Sequence, residues 1–265
     1  MPSERIIYNL LTSNLVNSGY ALVYSKAMQH ISIQPKRVSK QKVCFLVVSG
    51  FTLASLSLGL LSIMCTMAGL LTPAALCLLS CVALDGCDGS LARRWRVTSP
   101  FGAQLDSMAD MTAFGIASAV LTYYWLMQED PSRLLPVIVV SALVALMSAI
   151  RLARFNVTPR DDAYFQGIPT TGATGIIVIT YLTSPHLQFA WALILVALVA
   201  LLMGSLFPYM KLSQVRRVPW WLWLLALISA VVNLPITVLL IVSIYICSGP
   251  LLWLKQRQTA IRQAV

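Results

Sequence analysis

The chain has 265 residues, 58% of them hydrophobic and 11% charged, with a net charge of +10 and a mean hydropathy of +0.79. A water-soluble domain of this length cannot bury so much apolar surface, so the composition excludes a soluble globular protein and points to a bilayer. The positive charge requires no nucleic acid, because membrane topology and attraction to anionic headgroups account for it.

Residues 1–42 mix Ile6, Leu10, Leu15 and Leu22 with Asn and Ser, which predicts an amphipathic interfacial segment rather than a cleavable signal. Eight apolar stretches follow, at about 43–66, 72–93, 102–127, 134–154, 168–184, 187–208, 218–234 and 235–254. Each approaches the length needed to cross roughly 30 Å of hydrocarbon. The first two are joined through Gly69 to Thr72, and the last two are separated at Asn233 and Pro235 by either a turn or a kink. Lys and Arg accumulate on the cytoplasmic side of short loops. With the N-terminus inside, every one of them except Arg133 falls on that side. The expected fold is all-α, a polytopic membrane helix bundle of about eight spans with both ends in the cytoplasm. The six cysteines lie within predicted spans without metal or disulfide spacing, and read as packing residues.

Only nine residues are acidic, yet Asp85, Asp88, Asp106 and Asp110 lie inside or at the ends of two adjacent apolar spans. A carboxylate in a spanning helix costs about 2.5 to 3.5 kcal/mol on insertion scales, and such residues usually mark a functional site facing the bundle interior. Asp85 and Asp88 are three apart and Asp106 and Asp110 four apart, so each pair shares one helix face. A short basic connection, Arg93 to Pro100, joins the two helices, which places both pairs a few turns from the cytoplasmic end.

Four clustered carboxylates repel one another unless a cation joins them. With only oxygen donors and no His nearby, Mg²⁺, Mn²⁺ or Ca²⁺ is favoured over Zn²⁺ or Cu²⁺. Gly86, Gly89, Ala92 and Gly102 leave room for a bulky ligand, and Arg93, one turn after Gly89, suits phosphate clamping. A cation-coupled transporter would also need buried carboxylates, but at the midplane and on broken, repeated helices. Here they belong to one pair of helices near one face.

The pattern Asp85-x-x-Asp88-Gly89-x-x-Ala92-Arg93, eight residues, Gly102-x-x-x-Asp106-x-x-x-Asp110 resembles the complete signature of the CDP-alcohol phosphatidyltransferases. The resemblance implies a six-helix catalytic core within residues 43–215, followed by a C-terminal helix pair and tail over 216–265, in a homodimer. It implies two ions, Mg²⁺ or Mn²⁺, between the four aspartates, with Asp110 as the base. Gly89, Arg93 and Ser99 would contact the nucleotide or phosphates of a CDP-lipid. Thr52 and Ser55 would be first-span contacts, although many relatives carry Asn where this chain has Ser55. Arg151-Leu152-Ala153-Arg154-Phe155-Asn156, followed by Phe165-x-Gly167-x-Pro169, is similar to the phosphatidylserine synthase branch. That similarity implies CDP-diacylglycerol and serine as substrates, with Arg151 or Arg154 available to the serine carboxylate. Glycerol 3-phosphate, inositol phosphate and choline remain as alternative acceptors.

Overall fold

The computed structural model describes residues 40–95, 97, 99–130, 132–157, 165–209, 229 and 232–264. The predicted N-terminal amphipathic segment, apart from its last three residues, and most of the predicted span 218–234 lie outside the described residues. Two compact units divide the chain, Met1–Val43 and Cys44–Val265, and the helix bundle is the second.

Helix α1 is Lys40–Met67. It closes with Gly69 at φ 78°, where Leu70 N–H bonds to the Cys65 carbonyl at 2.8 Å and Gly69 N–H to that of Thr66 at 2.9 Å. This is the paired-bond helix stop that favours a glycine in the left-handed region. After it comes α2, Leu71–Trp95. Helix α3, Pro100–Asp110, starts with Pro at its first position and Ser99 as the cap, its Oγ accepting from Gly102 N–H at 3.0 Å. From Met111 to Ala117 the backbone widens into a π-turn and then continues as α4, Ser118–Glu129, with right-handed helical dihedrals at both junctions. The predicted span 102–127 is thus one uninterrupted rod with a wide turn at its middle.

Helix α5 is Leu134–Val157, α6 is Thr170–Thr183 and α7 is Phe189–Gly204. Two-residue strands β1, Phe165–Gln166, and β2, Pro208–Tyr209, pair antiparallel with Phe165 opposite Tyr209. No alternating pattern in the sequence announces them, because they are held by tertiary contact at the ends of α5 and α7. Helix α8, Leu234–Ala264, contains Pro250. Asn233 caps α8, its Oδ1 accepting from Ile236 N–H at 3.2 Å, which makes the predicted break at this point a helix start.

By length and composition, Gln41–Met67, Leu71–Trp95 and Leu134–Val157 are long and apolar enough to cross a membrane; α6, α7 and Leu234–Pro250 are apolar but shorter. The 14 residues of α6 rise about 21 Å at 1.5 Å per residue, less than the ~30 Å of a hydrocarbon core. Its predicted ends are trimmed because Gly167 to Pro169 and the stretch from Ser184 to Gln188 are not helical. The bundle interior gathers Leu78, Leu121, Trp125, Leu126, Val144 and Val196, with Trp125 Nε1 donating to the Pro185 carbonyl at 2.8 Å. Leu46, Leu60, Met64, Leu135 and Leu201 are exposed on the outside of the bundle.

Gly167 stands at φ 75°, and a Cβ there would meet the carbonyl oxygens of Met203 at 2.6 Å and Ser205 at 2.8 Å. Gly167→Ala is therefore expected to destabilise the protein by about 2 kcal/mol or more, read as a fall in unfolding temperature in detergent. Gly50→Ala, where a Cβ would meet nothing within 4 Å, should cause no fall.

Candidate active site

The acidic residues of α2 and α3 meet. One carboxylate oxygen from each of Asp85, Asp88 and Asp106 lies within 4.8 Å of the other two. Asp110, one turn beyond Asp106, brings its carboxylate close enough to Asp85 for the two to interact electrostatically. Spacings of three and four on two neighbouring helices produce this convergence without any loop contributing a ligand. Asp88 is buried, while Cys87 beside it is exposed and points elsewhere. An all-carboxylate set fits a hard divalent cation.

Helix α1 forms another wall. The Thr52 hydroxyl donates to Asp88 Oδ2 at 3.1 Å, orienting that carboxylate. Ser55 is buried, and its carbonyl accepts from the Cys81 thiol at 3.3 Å, one turn before Asp85. A Cβ at Gly86 would meet nothing within 4 Å, and one at Gly89 would meet only the Arg93 guanidinium, at 3.5 Å. Arg93 therefore folds back over Gly89 toward Asp85, with which it interacts electrostatically. The two glycines leave open space beside the carboxylates.

The two arginines at the end of α5 differ. Arg151 is 8% exposed, its Nε has no hydrogen-bond partner among the described residues, and it interacts electrostatically with Asp110 and, from α8, Tyr245. Arg154 instead donates to the carbonyls of Gly204 at 3.1 Å and Ser205 at 3.3 Å, clamping the end of α7. Ser99 serves as the cap of α3. The structure thus groups Asp85, Asp88, Asp106 and Asp110 with Thr52, Arg93 and Arg151, and engages Ser99 and Arg154 in backbone contacts. Sequence reasoning missed Asn156, whose Nδ2 donates to Ser107 Oγ at 3.1 Å, as well as Tyr245 and the π-turn after Asp110. Asn156 lay within the quoted arginine stretch, whereas Tyr245 carried no local signal. Arg154→Ala is expected to cost about 1 to 3 kcal/mol of stability through two orphaned carbonyls, with the Michaelis constant for the acceptor unchanged. Thermal unfolding and acceptor titration check both halves.

The family model described as CDP-alcohol phosphatidyltransferase matches residues 45–203. Among similar proteins, a CDP-diacylglycerol–serine O-phosphatidyltransferase of Helicobacter pylori strain J99 is 38% identical over 141 residues, covering 52% of this chain and 58% of that protein. The protein of the same description from strain 26695 is 32% identical over 214 residues, covering 77% of this chain and 89% of that protein. An archaetidylserine synthase of Methanothermobacter thermautotrophicus is 33% identical over 152 residues, covering 57% and 64%. The apolar helix bundle and these matches define a membrane enzyme that transfers a substituted phosphate group in phospholipid biosynthesis. The chain belongs to the CDP-alcohol phosphatidyltransferase family.

Proposed function

We propose that this protein transfers the phosphatidyl group of CDP-diacylglycerol to the hydroxyl of L-serine, releasing CMP. The observation that carries the reading is the juxtaposition of the carboxylate cluster with a buried arginine, Arg151, whose Nε has no partner among the described residues and which interacts with Asp110. A buried guanidinium favours an anionic partner, and the carboxylate of serine supplies one. Serine is also the acceptor for which the relatives from Helicobacter pylori are named.

Asp85, Asp88, Asp106 and Asp110 would hold Mg²⁺ or Mn²⁺, two ions by the family resemblance; cations bound there supply charge neutralisation and polarise phosphoryl oxygens. Thr52 fixes the orientation of Asp88. Arg93 binds the diphosphate, and the open space at Gly86 and Gly89 admits the nucleotide side of the donor, with Ser99 and Ser55 at its margins. Arg151 pairs with the serine carboxylate and so directs the hydroxyl toward Asp110. Asp110 takes the hydroxyl proton; the serine oxygen bonds to the lipid-side phosphorus as the bond from that phosphorus to the CMP oxygen breaks. The catalytic core occupies residues 43–215 of an eight-span homodimer, preceded by an interfacial segment over 1–42 and followed by a helix pair and tail over 216–265. Both ends and the site lie on the cytoplasmic side, which the distribution of Lys and Arg supports.

The test is CMP release by purified protein given CDP-diacylglycerol with serine, glycerol 3-phosphate, inositol phosphate or choline in turn. Release with serine alone is expected. Release with another acceptor overturns the serine assignment, and release with none overturns the transfer reading.

A further inference from the structure

Asp110 is the residue immediately before the π-turn Met111–Ala117. A wide turn carries one residue more than the α-helical repeat, and such turns occur mostly as single insertions, frequently at functional sites. The added residue shifts the phase of everything before it by about 100°, the rotation per residue of an α-helix. Asp106 and Asp110 can therefore face the carboxylates of α2 while Leu121, Trp125 and Leu126 of the same rod face the apolar interior.

Wide turns disturb the carbonyl-to-amide ladder, and a buried carbonyl then needs another donor. The carbonyl of Phe114 has two: the hydroxyl of Ser118 and, from α6, the hydroxyl of Thr174 at 3.2 Å. Both side chains are buried, Thr174 at 1% exposure and Ser118 at 0%. Close packing holds the same turn from other sides. A Cβ at Gly59 of α1 would come within 3.0 Å of Ala113 Cα, and one at Gly115 within 2.9 Å of Met111 Sδ and 3.3 Å of Ser148 Cβ. The turn is thus packed against α1, α5 and α6, and among the described residues Thr174 is the α6 side chain that hydrogen-bonds to it.

We infer that Thr174 is a positioning residue for proton removal at Asp110: its bond to the Phe114 carbonyl holds the π-turn in the phase that aims Asp110 at the acceptor hydroxyl. The inference rests on the reading of Asp110 as the base. Thr174 is buried against the π-turn and is assigned no contact with either substrate, so its loss is expected to move the chemical step and leave binding alone. Thr174→Val keeps the volume and removes the hydroxyl. It is expected to lower kcat by about 10- to 100-fold, the scale of a misplaced catalytic group, with Michaelis constants for CDP-diacylglycerol and serine unchanged. Thr174→Ser restores the hydroxyl and is expected to restore kcat. Thr180→Val is the control, because Thr180 is buried on the same helix and its hydroxyl has no partner among the described residues; its kcat stays at the wild-type value. If thermal unfolding shows Thr174→Val to be unfolded, Thr174→Ala is read in its place.

The decisive comparison is made in an Asp110→Asn background. With the base gone its aim no longer matters, so Thr174→Val there causes no further loss of the residual rate. A wild-type kcat in Thr174→Val overturns the inference, as does an equal loss in Thr180→Val, failure of the Ser variant to restore the rate, or the same fold-loss in the Asp110→Asn background. Wild-type turnover in Asp110→Asn itself overturns the base assignment, and that result is separable because it is read with Thr174 intact.

Discussion

Asp110→Asn is expected to cut turnover by about 10²- to 10⁴-fold, the range that general base catalysis contributes, while CDP-diacylglycerol binds nearly as well as to the wild type. The amide keeps the shape and cannot take a proton at neutral pH. Asp85→Asn, Asp88→Asn and Asp106→Asn should behave differently, because each removes charge from the group whose oxygens lie within 4.8 Å of one another. Their loss of turnover should come with weakened binding of divalent cation and of the CDP-lipid. Treating the wild type with EDTA should abolish activity, and added Mg²⁺ or Mn²⁺ should return it. Turnover and donor affinity measured on the four variants separate the two patterns. Full activity in metal-free protein would remove the metal from the account, and equal donor affinity in all four would remove the division of labour.

For Arg151→Ala the expected result is a rise in the Michaelis constant for serine by about tenfold to a hundredfold, with that for CDP-diacylglycerol little changed. The estimate follows from about 1.5 to 3 kcal/mol for a hydrogen bond to a charged group, each 1.4 kcal/mol being a factor of ten. Removing the side chain leaves the serine carboxylate without its cation in a buried place. Arg151→Lys should recover part of the affinity, since it keeps the charge and loses the planar fork. A competing role is visible in the geometry, because Arg151 also interacts with Asp110. If that interaction were its whole purpose, kcat would fall with the serine constant unmoved. Varying each substrate separately in Arg151→Ala decides between the two, and an unchanged serine constant would sink the acceptor role.

The carboxylate site was readable from the sequence because its geometry is local. Spacings of three and four on helices joined by a short connection leave the side chains little choice of direction, and in an apolar chain an aspartate is conspicuous. The Asn233 break was readable for the same reason, since a cap followed by Pro235 carries its own signal. Arg151 and Arg154 were not separable. They differ only by where the end of α7 returns, and no pattern near residue 154 says that the carbonyls of Gly204 and Ser205 will arrive there. The π-turn was equally hidden, because Met111 to Ala117 reads as ordinary apolar helix; the insertion shows only once Thr174 and Gly59 are placed against it from distant parts of the chain. Helix ends near residues 168 and 204 were drawn too long, since hydropathy does not register the glycine at φ 75° or the short strand pair that stop them.

The carboxylates sit in the final turns of α2 and the second half of the short helix α3, near one end of the bundle rather than at its middle. Asp88 is seven residues from Trp95, about 10 Å along the helix axis. A donor whose headgroup reaches that depth can keep its acyl chains in the surrounding monolayer and slide in sideways, never leaving the lipid phase. On the proposed reading the water-soluble acceptor would arrive from the same surface without traversing the hydrocarbon. Donor and product would then share one leaflet, and every turnover would change the composition of that leaflet alone. Supplying the opposite monolayer with the new lipid would then be the task of a separate flipping step, and in sealed vesicles carrying this protein in one orientation the product would accumulate on one side only.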